Sequence, residues 1–126
     1  MDLSQPPTLD TLRPSLQRVF DLAGRKIHDL DRSWDPARGT PVFTVSGRYT
    51  TRGWTEWTQG FQYGSALLHF DATGDAESLA IGRRGTLDRM EPHLSHVGVH
   101  DHGFNTISTY GTLRRLIREE RIDADP

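Results

Sequence analysis

The chain has 126 residues, enough for one domain with its own core and too few for two of ordinary size. Its 15 basic and 17 acidic side chains leave a formal charge of −2, with 34% hydrophobic and 25% charged residues, so it carries neither a basic footprint for nucleic acid nor the composition of a disordered chain. Cysteine is absent, which excludes disulfides and thiolate metal sites; no run of about 18 apolar residues offers a membrane span, the opening Met1-Asp2-Leu3-Ser4-Gln5 does not read as a signal peptide, and a soluble, cytoplasmic protein is expected.

After Pro6-Pro7, Leu12, Leu16, Val19, Phe20, Ala23, Ile27 and Leu30 recur at spacings of three and four, which predicts an amphipathic helix over about 9–31. Pro14 fits where its missing N–H costs nothing, in the first turn, and this makes Asp10 or Thr11 the expected cap. A stripe this strong must be buried against something, and self-association through exposed helix faces is expected. From Ser33 to Gly53, Pro36, Gly39, Pro41 and Gly47 surround a short β-prone run, Val42-Phe43-Thr44-Val45, and read as a long connection with at most a small extended piece. Such a connection in a compact domain commonly lines a site.

Helical pattern resumes near Gly60 with Phe61, Ala66, Leu67, Leu68 and Phe70, and stops at Thr73-Gly74-Asp75, where glycine supplies a left-handed cap and Asp75 starts the next helix. Leu79, Leu87 and Met90 carry a third helix to about Pro92. Ser95 to Val99 breaks the period before Phe104, Ile107, Tyr110, Leu113, Leu116 and Ile117 form a fourth. Short connections favour antiparallel neighbours, so the expected class is all-α, built from αα-hairpins. Gly64, Gly82, Gly85 and Gly111 inside these runs each cost roughly 1 kcal/mol of helix propensity, a tolerance that close helix packing or a nearby ligand explains.

Two segments stand out chemically. His100-Asp101-His102-Gly103-Phe104 places a carboxylate between two imidazoles, and Trp54-Thr55-Glu56-Trp57-Thr58-Gln59-Gly60-Phe61 crowds aromatic rings around a glycine. On local chemistry alone Asp101 caps the helix beginning near Phe104, and the aromatics anchor a core. His93, His96, His100 and His102 invite a zinc reading, but spacing alone does not single out a metal, and no cofactor is expected. Arg115 and Glu119 form an i,i+4 pair on what reads as a solvated face.

Taken together, Trp57-Thr58-Gln59-Gly60-Phe61, Ala72-Thr73-Gly74-Asp75 and His100-Asp101-His102-Gly103-Phe104 resemble, in order and spacing, the unsaturated glucuronyl hydrolases of glycoside hydrolase family 88. The resemblance covers roughly residues 50–120 and implies an (α/α)6 barrel, of which residues 1–126 form an incomplete opening part. It implies hydration of the C4=C5 bond of an unsaturated uronic acid at the non-reducing end of a lyase-derived oligosaccharide. Asp101 becomes the catalytic carboxylate, and Trp57, Phe61, His100 and Phe104 the substrate-binding residues. The aspartate that serves as the family's main proton donor falls beyond Pro126. Two positions differ from the family pattern: His102 replaces an apolar residue, and Gln59 an acid. An unsaturated rhamnogalacturonyl hydrolase, another helical-barrel glycosidase and a non-catalytic sugar-binding fragment are the alternatives.

Overall fold

A computed structural model describes residues 6–52, 57–97 and 101–124, and of Arg52 the backbone only. The described residues are mostly helical, with one two-stranded sheet among them, inserted after the first helix. Helix α1, Leu9–Ser33, starts from Thr8, whose hydroxyl accepts from the Thr11 N–H at 3.3 Å. The cap thus lies ahead of Asp10 and Thr11, and Pro14 sits inside the helix, beyond its first turn. The Asp10 carbonyl that Pro14 cannot serve belongs to an exposed residue, where water can take the place of the missing donor.

The two halves of α1 differ. The second half docks: Gly24 is buried against the His69 imidazole, and Arg84 holds Asp31 through both carboxylate oxygens, at 2.7 and 2.9 Å. Along the first half Leu9, Leu12, Leu16 and Val19 remain exposed.

The segment read as a long connection is instead a β-hairpin. Trp34 closes α1, donates its indole N–H to the Gly39 carbonyl at 2.9 Å and carries the Arg38 guanidinium 4.5 Å above its ring. Strands β1, Thr40–Val45, and β2, Arg48–Arg52, pair antiparallel with a bulge between Pro41 and Phe43. Ser46 and Gly47 both take positive φ, 49° and 75°, which is the backbone of a two-residue turn matched to strand twist. Ser-Gly is a weaker hairpin signal than Asn-Gly, and the proline in β1 also argued against a strand.

Helix α2, Thr58–Thr73, ends at Gly74 with φ 76°, its N–H bonded to the Phe70 carbonyl at 2.7 Å, and Asp75 then caps α3, Ala76–Arg89, through the Ser78 N–H at 3.1 Å. This is the expected tight turn. The two helices run antiparallel: Ser78 meets His69, Gly82 meets Leu67, and Gly85 meets the Tyr63 ring. A Cβ on either glycine would collide with those side chains, so Gly82 and Gly85 serve close packing, whereas a Cβ on Gly111 would meet only ordinary contacts.

Met90 and the short α4, Pro92–Ser95, lead to α5, His102–Thr106, a π-helical turn, Ile107–Gly111, and α6, Thr112–Arg118. The π turn lays Ser108 against Gly64 of α2. The core sits between α2, α3 and α6, with Ala66, Leu67, Met90 and Leu116 fully buried. Arg115 does pair with Glu119, at 2.8 Å, but it also bonds Asp71 of α2 at 2.6 Å, and Arg121 adds a second contact to Asp71 at 3.2 Å. The face read as merely solvated therefore ties α6 to the end of α2. Among the described residues no helix is long and apolar enough to cross a membrane.

Candidate functional site

The first turn of α2 and the short α5 bring together three aromatic rings. Trp57, just ahead of α2, and Phe61 one turn later lie edge to face with centroids 5.5 Å apart. Phe104 of α5 completes the group at 5.7 Å from Trp57 and 5.5 Å from Phe61. The rings touch one another yet stay open to solvent, 42–48% exposed, which sets them apart from the core anchors that local chemistry alone would make them.

Gly60 makes this approach feasible. The space a side chain would fill there is occupied by the Asn105 Cα and the Phe104 carbonyl oxygen, so only a glycine lets α5 lie this close to α2. Beneath the rings runs a buried polar chain. The Gly60 N–H donates to Asn105 Oδ1 at 2.9 Å, the Asn105 amide nitrogen meets His93 Nδ1 at 3.1 Å, and His93 Nε2 meets Gln59 Oε1 at 2.7 Å. His102 Nδ1 donates to the His93 carbonyl at 3.1 Å. The two positions that differ from the resembled family, Gln59 and His102, thus both bond to His93.

Asp101 is half-buried immediately before α5, and its carbonyl accepts from the Phe104 and Asn105 N–H groups at 3.0 and 3.4 Å. Its side chain makes no capping hydrogen bond, so the local reading of Asp101 as a helix cap is corrected. His100 and Trp54 lie outside the described residues. Among the described residues no three His, Asp or Glu side chains are grouped to hold a metal ion, and His93 is committed to amide partners.

Next to the aromatic group opens a cleft of about 350 Å³ between α1, the hairpin, α2 and α3, with apolar walls from Ile27, Leu30, Pro41, Tyr49, Phe61 and Ile81. Phe61 belongs to both the cleft and the ring cluster. Thr58, on the same wall, has a buried hydroxyl with no partner among the described residues. Tyr49, and His93 as an amide partner, could not be read from the sequence, because both depend on contacts between distant segments.

A second polar cluster sits at the other end of the α2–α3 hairpin. His28 Nε2 donates to Asp75 Oδ2 at 2.8 Å, the Ser78 hydroxyl donates to the same oxygen at 2.6 Å, and His69 reaches Ser78 Oγ at 2.8 Å and the Phe20 carbonyl at 3.1 Å. The Ser78 bond, helped by the Ser78 N–H and by His28, holds the Asp75 carboxyl below its ordinary range against the opposing effect of burial. Serine, histidine and aspartate in contact invite comparison with a nucleophilic triad, but Ser78 is completely buried and no substrate can reach its oxygen. This cluster joins α1 to the hairpin turn.

No protein-family model, no curated protein and no solved structure matches the chain.

Proposed function

We propose that the chain is the opening part of an (α/α)6-barrel glycosidase of unsaturated-uronyl type. Its substrate is an oligosaccharide left by a polysaccharide lyase. The observation that carries this reading is the convergence of Trp57, Phe61 and Phe104, from segments more than forty residues apart, into one solvent-open aromatic group beside Asp101 in sequence. Aromatic faces of this kind stack on the C–H face of a pyranose, and the motif order agrees with the resembled family. In the reaction a carboxyl group protonates C4 of the vinyl ether, water adds at C5, and the resulting hemiketal opens and releases the neighbouring sugar. Asp101 acts at the reacting carbons together with a second carboxyl group from a later hairpin of the barrel. His100 supports Asp101 and helps hold the substrate carboxylate.

The test is loss of the ultraviolet absorbance of the conjugated uronate when lyase-generated disaccharides meet the longest natural form of the chain. Asp101→Asn should lose at least about a hundredfold in rate, the scale of a missing acid–base group, with its melting temperature nearly unchanged. An Asp101→Asn variant as active as its parent would end the catalytic assignment. The exposed stripe of Leu9, Leu12, Leu16 and Val19 is where we expect self-association, and a monomer by sedimentation at all concentrations would contradict it.

A further inference from the structure

We infer that His93 is a positioning residue for the aromatic site: an imidazole carrying its proton on Nε2 alone, which locks the first turn of α2 to α5 and so fixes how the three rings meet. The inference rests on reading those rings as a sugar wall, but its geometry stands without it. The direction of every bond follows from one backbone donor. The Gly60 N–H can only donate, so the Asn105 atom facing it is the carbonyl oxygen and the atom facing His93 is the amide nitrogen. That nitrogen can only donate, so Nδ1 of His93 accepts. Nε2 then carries the ring proton and donates to Gln59 Oε1.

The result is a one-way relay, Gly60 to Asn105 to His93 to Gln59, which starts and ends on adjacent residues of α2 and closes a loop through α5 and α4. Each end of the loop borders a ring: Gln59 and Gly60 lie between Trp57 and Phe61, and Asn105 follows Phe104. His93 is 1% and Asn105 0% exposed, so no water competes for these bonds. Removing the imidazole would leave the Asn105 amide and the Gln59 carbonyl buried without these partners. The close contact at Gly60 would lose the bonds that set its register.

Glutamine at position 93 offers both a donor and an acceptor on one amide and is the conservative variant; leucine fills similar space with neither. Labelling the chain with 5-fluorotryptophan gives one fluorine signal for each of the three tryptophans, and Trp57→Phe assigns the reporter. Trp34, bonded to Gly39 and outside the relay although it lines a small cavity with Gln59 and Pro92, serves as the fold control. His93→Leu should shift or broaden the Trp57 signal and leave Trp34 in place, and His93→Gln should restore the Trp57 signal. An unchanged Trp57 signal in His93→Leu overturns the inference. Should Trp34 move as well, the nitrogen shifts of the parent's His93 decide: an unprotonated Nδ1 with a proton on Nε2 supports the inference, and the opposite tautomer or an imidazolium at neutral pH overturns it. Binding of an unsaturated uronyl disaccharide, followed on the same fluorine signal, should be lost in His93→Leu and kept in His93→Gln. If the rings respond to His93 as described while the parent binds no sugar, the sugar reading fails and the positioning role remains.

Discussion

The two ends of the α2–α3 hairpin are both fastened by histidines, but by different chemistry. At the turn end, His28 and His69 gather around an aspartate, and Arg32 and Glu77 continue the charged contacts outward. Asp75 there caps a helix, meets α1 and engages Ser78 at once. At the open end, His93 works with two amides and a backbone N–H, and the exposed aromatic group lies directly above. Charge suits the turn end because Asp75 remains partly solvated; at the open end His93 and Asn105 are almost completely buried, where a relay of neutral groups avoids the penalty of a buried ion. Histidine is thus structural glue at one end and, on our account, the support of a site at the other.

The comparison breaks most severely at Gly60. Because a Cβ would meet backbone atoms of Phe104 and Asn105, Gly60→Ala should destabilise the fold by about 3 kcal/mol, toward the upper end for overpacking, in denaturant titrations. Asp75→Ala at the turn end should cost about 2 kcal/mol, at the upper end of the range for a lost helix cap, because two further contacts are lost with it. Its pH dependence sharpens the contrast. The folded-state pKa of Asp75 is lowered, so its contribution is fully present above the ordinary carboxylate range and is lost as pH falls through the depressed folded value. The stability gap between the parent and Asp75→Asn should therefore narrow on acidification, as thermal melts across that range would reveal. Phe104→Ala should have the smallest effect, about 1 kcal/mol, because its ring is half-exposed and its packing serves the surface rather than the core.

Much of the helical frame was legible in the sequence. The period of α1, the Gly74-Asp75 turn and the Arg115–Glu119 pair depend on neighbours three or four residues apart, and these contacts appear as expected. The hairpin was not legible: Ser46-Gly47 is an indirect turn signal, and Pro41 disguises a strand that tolerates it beside a bulge. The cap of α1 was misplaced because Pro14 was assigned to the first turn, whereas the helix carries it further in. Of the candidate site, the sequence supplied the three rings and Asp101 as residues to watch. What joins them, a glycine touching Asn105 and a histidine bonded to Gln59, spans more than thirty residues and leaves no periodic trace.

The central claim, that Trp57, Phe61 and Phe104 form a sugar-binding wall, is tested most directly by saturation-transfer NMR with an unsaturated uronyl disaccharide. Irradiating the aromatic protons of the chain should carry saturation to the C–H protons on one face of a pyranose ring, and Phe104→Ala, with its fold intact, should abolish that transfer. No transfer from the parent chain, or transfer undiminished in Phe104→Ala, would contradict the claim.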